Sequence, residues 1–418
     1  MTLTGVLPML AWILLVLSPT QTKLAGLLWV ILCFWAVALA LRHPPQASTP
    51  TRLAALRWLA ACGITLGTWF VMSVYWNEPC CTLSADVGSG LRLWLGALAA
   101  YLWARHWAPL PEWKNRINHG LALACISSLL IAIVMDRGNL PSYPIPWSAA
   151  VAMVLCVLLP QALDAPHGAW QRRGWLLCCG LGLAAVFLSQ SRGSYLAIGW
   201  LIYVWGSSSQ SWNTRITPVR IAAGCALVTI VMALTSALPS DPLRIREGWN
   251  DWNASRHEES MNTSLGARLA LHELALKTIG ESPWVGVGAR ERLHRIHTLG
   301  QDLPPQEARK LAHAREQGHV HNAYLHSAMD GGMISLAGFL MSIGGLLYAA
   351  QAWKKTNPLA RRQMLGVAFV HASASLSNVN LAHNYYAVML SLCVTLIVIQ
   401  SQSQGLSDCT VSLRESAQ

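Results

Sequence analysis

The feature that most constrains this chain is a repeated one: long apolar runs separated by short polar breaks, with a single long polar interruption. A membrane-crossing helix needs about 20 mostly apolar residues. Runs of that kind fall near residues 3–18, 25–42, 56–76, 90–108, 119–136, 147–163, 174–190, 194–208, 218–238, 325–350, 364–381 and 384–402. In lipid every backbone polar group must be paired within its own segment, so such runs fold as helices. The expected fold class is therefore an all-α polytopic membrane protein with about twelve transmembrane helices. Only 12% of the 418 residues are charged, against about 25% in soluble globular proteins, which excludes an enzyme built on one large soluble core. The first run lacks the charged start and small-residue cleavage site of a signal peptide and reads as a first span.

The runs meeting at Ser191-Arg192 are separated by the shortest break, Ser189-Gln190-Ser191-Arg192-Gly193-Ser194, which is too polar to lie unpaired in lipid. Charge supports dividing the chain there. With a cytoplasmic N-terminus, the inward loops hold Arg42, Arg52 and Arg57; Arg105, Lys114 and Arg116; Arg172 and Arg173; Arg215 and Arg220; and Lys354, Lys355, Arg361 and Arg362. The short outward loops hold only Lys23, Arg92, Arg137 and Arg192. Basic residues concentrate in cytoplasmic loops, so this asymmetry puts both termini in the cytoplasm. The net charge of +11 follows from those loops. No basic stretch is interleaved with aromatic residues as a nucleic-acid groove requires, so no nucleic-acid partner is expected. The lipid bilayer is the expected solvent. Four regions follow: transmembrane helices over 1–238, an outward loop or cap over 239–320, further spans over 321–402 and a cytoplasmic tail over 403–418.

The cap is neutral overall but dense in charge, and eight of the fourteen histidines lie between His257 and His326. Ala267–Ile279 and Pro305–Gln317 read as helical. Cys80 and Cys81 are the one cysteine pair in a polar loop, but adjacent cysteines fit disulfide geometry badly. His272-Glu273 opens like a zinc-protease helix and lacks the second histidine. His294 and His297 have no carboxylate or cysteine to complete a metal site. Gly286-Val287-Gly288 has no nucleotide-binding strand and helix around it.

Three positions carry the chemistry. Arg192 sits in an outward turn at a span end, where a charge is costly unless it meets water, a partner or a ligand. Arg268 opens a helix with His272 four residues on, on the same face. His321 stands where the cap re-enters apolar sequence. Guanidinium groups grip phosphate oxygens in a fork, and an imidazole can take a proton from a hydroxyl. The trio suits a lipid-linked diphosphate and an acceptor alcohol. Arg290 and His319 are further candidates for phosphate contacts, and Tyr324, one turn beyond His321, is a candidate for orienting it.

Ser191-Arg192-Gly193-Ser194-Tyr195-Leu196 is similar to the Arg-x-x-x-Leu motif of the O-antigen ligase family. Arg268-Leu269-Ala270-Leu271, followed by Pro283-Trp284-Val285-Gly286-Val287-Gly288, resembles that family's loop helix and Pro-x-x-Gly-x-Gly segment. His321-Asn322 with Gly331-Gly332 resembles its His-Asn motif and downstream glycine, although Ser335 stands where the family often has Gly, Thr or Tyr. The resemblance covers most of the chain in topology. It implies a GT-C-type glycosyltransferase with a large periplasmic loop in the bacterial inner membrane. The implied donor is an undecaprenyl-diphosphate-linked O-antigen, and the acceptor a sugar hydroxyl of the lipid A–core oligosaccharide. Transfer would be direct and inverting, with no metal or other cofactor. Arg192 and Arg268 would bind the diphosphate and His321 would be the general base. An O-antigen polymerase or protein oligosaccharyltransferase on the same scaffold stays open, as does a transporter with an outward lid.

Overall fold

The computed structural model describes the chain except for residues 1–17, 46–48, 79–84, 108–111, 166–169, 208–217, 238–240, 242, 257–261 and 416–418. The expected first span and the Cys80-Cys81 pair lie outside the described residues. Among the described residues the fold is helical without strands. Eight helices precede the cap: α1 (Thr22–Arg42), α2 (Pro50–Tyr75), α3 (Ala85–His106), α4 (Glu112–Val134), α5 (Pro144–Asp164), α6 (Trp170–Leu188), α7 (Ala197–Gly206) and α8 (Pro218–Ala237). The cap holds α9 (Ile245–Arg256), α10 (Ser264–Glu281), α11 (Gly288–His297) and two short helices, α12 (Pro305–Lys310) and α13 (Ala312–Arg315). The chain then returns through α14 (Ala323–Gln351), α15 (Pro358–Ala374) and α16 (Asn384–Glu415).

A helix lies on every expected span from 25–42 onward. Six are long and apolar enough to cross a membrane among the described residues: α1, α2, the 115–134 part of α4, α5, α14 and the 384–402 part of α16. The expected span 194–208 is shorter than anticipated, because α7 has ten residues. At 1.5 Å per residue that is about 15 Å, half the hydrocarbon thickness. The expected break is present: α6 ends at Leu188 and a single 3-10 turn, Arg192–Ser194, intervenes before α7. At the other end α16 continues as helix to Glu415, past the expected end of the last span.

Helix starts follow local chemistry. Thr49 and Asn357 accept backbone N–H bonds just ahead of Pro50 and Pro358, which suit the first helical turn because their missing N–H would have no partner there. α5 and the first half of α16 form the core. Ile145 to Leu158 are buried without a break, which is why α5 carries no polar face. The other long helices bury one side and leave Leu, Ile, Val and Phe exposed on the other, as at Phe34, Phe70, Val71 and Ile133, as lipid contact requires.

One joint ties the cap to the spans. α14 is broken at Gly331-Gly332, with Gly332 at φ +62°. The freed backbone groups are taken up by the cap: Met333 N–H donates to the Pro283 carbonyl at 2.8 Å, and Val287 N–H donates to the Met329 carbonyl at 2.9 Å. A Cβ at Gly332 would run into the Trp284 and Val285 backbone, and one at Gly286 (φ +63°) would meet Met329 and Asp330. The two glycine motifs of the sequence are therefore the two halves of one seam. Arg292 of α11 reinforces it with a 2.6 Å ion pair to Asp330 of α14.

Candidate functional site

The Arg192 turn is fixed from below. Ser194 Oγ lies 2.6 Å from Ser148 Oγ of α5, and Gly193 packs so closely on Ser377 that a Cβ there would collide with its hydroxyl. This leaves the Arg192 side chain directed toward the cap. Its guanidinium passes over Gly248 of α9, where any Cβ would clash with Nη1. It donates to the Arg244 carbonyl at 3.3 Å and pairs loosely with Asp251 at 3.7 Å.

α10 brings in Arg268. Thr263 caps that helix through a bond from Gly266 N–H, and Ala267, Ala270, Leu271 and Ala275 form its buried stripe. Arg268 is half-buried and has no ion pair or side-chain hydrogen bond with any described residue. Burial, then the nearby charges of Arg192 and Arg137, press its pKa below the ordinary guanidinium range. His272, one turn on, reaches the backbone of Val320, so the expected shared face of Arg268 and His272 is the one that meets the His319–His321 segment.

His321 is held in a left-handed backbone conformation, φ +53°, uncommon for a residue with a side chain. The cause is the abrupt turn into α14, whose first N–H groups, Tyr324 and Leu325, donate to the Asn322 side chain. Ala323 N–H donates to the Ser375 carbonyl at 2.8 Å, which docks this turn on the α15–α16 connection. From that connection the fully buried Asn378 places its Oδ1 3.3 Å from His321 Nδ1, while its own amide donates to Asn380 Oδ1 at 3.2 Å. With Asn378 so oriented, Nδ1 donates to its Oδ1. Nε2 lies 2.8 Å from Oε1 of Gln317, whose amide nitrogen donates to the His313 carbonyl at 3.1 Å, so both ring nitrogens face amide oxygens. Burial, then His319 and Arg268, pull the His321 pKa down to about 3. His319, with its ring centroid 4.4 Å from that of His321, is pulled down to about 4 by burial and by His383 and Arg292.

Arg268 thus lies within electrostatic reach of Arg192 on one hand and of His319 and His321 on the other. Two candidates stand apart from this group. Arg290 is exposed on α11; the buried arginine of that helix is Arg292. Tyr324 donates its hydroxyl to the Ala372 carbonyl at 2.9 Å and stacks edge-on against Phe339, so the contacts that orient His321 come from Asn378 and Gln317 instead. Asn378, His383, Arg244 and Gly248 went unnoticed in the sequence. Only the charge of Arg244, in an already polar cap, offered any signal.

His294 and His297 are exposed and belong to no candidate metal group among the described residues. Asp86, His326 and Asp330 do bring ligand atoms within 4.8 Å of one another. The Arg292 guanidinium already takes one Asp330 oxygen there, which makes the group an internal brace.

Residues 177–340 match a family model described as O-Antigen ligase. That stretch is an O-antigen ligase family domain. No curated protein matches the chain. The O-antigen ligase domain runs from within α6 to within α14 and contains Arg192, Arg268, His319, His321 and Tyr324. The family and the apolar helices make this a multi-pass membrane protein with a glycosyltransferase-like activity in O-antigen processing. Asn378 and His383 lie beyond the O-antigen ligase domain, so the site is completed by chain outside it.

Proposed function

We propose that the protein transfers an O-antigen polysaccharide from undecaprenyl diphosphate to a sugar hydroxyl of the lipid A–core oligosaccharide, on the periplasmic side of the inner membrane. The observation that carries this reading is Arg268. A half-buried guanidinium with no counter-ion among the described residues, close to His321, asks for an anionic ligand, because an unpaired buried charge is costly. A diphosphate fits it, with Arg192 as the second arm.

The mechanism follows from the atoms. His321 Nε2 takes the proton of the acceptor hydroxyl, which replaces Gln317 at that nitrogen. The acceptor oxygen forms its bond to the anomeric carbon from the face opposite the leaving group. The bond between that carbon and the phosphate oxygen breaks, and undecaprenyl diphosphate leaves with the electron pair. Arg192 and Arg268 stabilise the charge growing on it, an effect worth about 3–4 kcal/mol per preorganised donor. A base held near 3 is weak, but the donor corrects that. Its negative charges offset Arg268, one of the groups that depress the His321 pKa, and so favour the imidazolium and raise the basicity of His321. The diphosphate is a good leaving group, and the reading requires no metal.

A deletion strain tests this. Loss of all O-antigen from lipopolysaccharide, with lipid-linked polymer accumulating, is the expected result. A single repeat on each core would instead make the protein a polymerase, and an unchanged ladder would overturn both readings.

A further inference from the structure

The connection between α4 and α5, residues 135–143, lies outside the O-antigen ligase domain yet reaches the site. It is well anchored. Asn139 N–H donates to the Asp136 carbonyl, Thr22 Oγ1 donates to the Pro141 carbonyl at 3.1 Å, and Trp147 N–H of α5 donates to the Tyr143 carbonyl. Two of its side chains are unexplained by any structural role.

Arg137 is half-buried, and its Nε is fully buried without a hydrogen-bond partner. It has no ion pair with a described residue. It stands among Arg244, Arg192, Glu247 and Tyr143. Glu247 is the carboxylate within its reach, and Arg244 already engages both Glu247 oxygens through Nε and Nη2. Arg137 and Arg268 are thus two neighbouring cations, neither of them paired with a described residue.

Tyr143 is 53% exposed. Its ring stacks on His383, with centroids 5.4 Å apart and planes at 27°. His383 lies 6.5 Å from His319, which lies 4.4 Å from His321. The hydroxyl of Tyr143 stands close enough to Arg137 and Arg268 to act on their charges. An exposed aromatic ring therefore stands near both the guanidinium groups and the histidines. In an inverting transfer the reacting sugar has the leaving diphosphate on one side and the attacking hydroxyl on the other, so it too lies near groups of both kinds. An amphipathic ring backed by a second ring suits the C–H face of a sugar.

We propose that residues 135–143 form the donor-recognition element, with Arg137 as a further cation on the diphosphate and Tyr143, backed by His383, as the platform for the carrier-proximal sugar. This rests on the transferase reading above. The test uses the purified full chain in nanodiscs and three probes: undecaprenyl phosphate, undecaprenyl diphosphate, and undecaprenyl diphosphate bearing one N-acetylglucosamine. Arg137→Gln should weaken both diphosphate lipids about tenfold or more, as loss of charge-assisted hydrogen bonds does, and the monophosphate less. Arg137→Lys, which keeps the charge and the packing stem, should recover part of the loss. Tyr143→Ala should weaken only the sugar-bearing lipid, and Tyr143→Phe should bind it as wild type does. Wild-type affinity in Arg137→Gln alongside weakened binding in Arg268→Gln would overturn the role of Arg137 and leave the transferase reading standing. Equal weakening of both diphosphate lipids by Tyr143→Ala would overturn the platform. A wild-type protein that does not prefer diphosphate to monophosphate would overturn the transferase reading along with the proposal.

Discussion

His321 shows how one side chain is prepared by its neighbours. Its pKa near 3, and that of His319 near 4, lie below the ordinary 6.5. Both residues bind protons more weakly folded than unfolded. As pH falls through 6.5 the unfolded chain takes up protons first, so stability from these groups is full above 6.5 and is lost progressively as pH falls through about 4 to 3. A His319→Asn/His321→Asn double variant should therefore lose less thermal stability than wild type between pH 6.5 and 4. For catalysis, Asn378→Asp places a carboxylate on Nδ1 and raises the His321 pKa. The acid limb of kcat/KM should move upward in pH, whereas Asn378→Ala should lower kcat with little effect on KM for donor. Gly248→Ala is the third residue-scale expectation. Its methyl group displaces the Arg192 guanidinium, so donor KM should rise while the unfolding midpoint changes little. The sequence pointed to Arg192 through the cost of a charge at a span edge, to Arg268 as the opening of a loop helix and to His321 as the point where the cap re-enters apolar sequence. Asn378 and Gly248 were hidden, since a buried amide and a glycine show their purpose only once a partner is next to them.

Among elements, apolar length read most of the helices correctly, because lipid leaves the backbone no alternative. It misjudged α7, where Ser194, Tyr195 and Leu196 are spent on the turn before the helix begins. It could not tell α5, buried on all sides, from helices with one lipid face, because both read as apolar. It also could not join Pro283–Gly288 to Gly331-Gly332, since each glycine motif looks like an ordinary turn until the other lies against it. Gly332→Ala tests that joint. A positive φ and a collision with the Trp284 backbone should cost about 1–3 kcal/mol, read as a lower unfolding midpoint, and Met333→Ala, which leaves the backbone bond in place, should cost less.

At the scale of the molecule, the site draws on the α4–α5 connection, the Arg192 turn, α9, α10, the His319–His321 segment and the α15–α16 connection. The O-antigen ligase domain supplies only the middle of that list. Hydrogen exchange should report how the whole is tied together: the amides of Val287 and Met333, both bonded across the seam, should exchange together and slowly.

That seam also joins one side of the cap to α14 more firmly than α9 is joined to the Arg192 turn. On the proposed transferase reading the donor's polyprenyl chain stays in the bilayer and enters sideways, away from the α14 side, where backbone is bonded to backbone. α9 is held to the Arg192 turn by a 3.7 Å ion pair and one long hydrogen bond. In this resting arrangement Asp251 occupies the guanidinium that a phosphate would claim. We expect it to act as a latch that the incoming donor displaces, so Asp251→Asn should speed donor entry in stopped-flow binding without changing the pH profile set by His321.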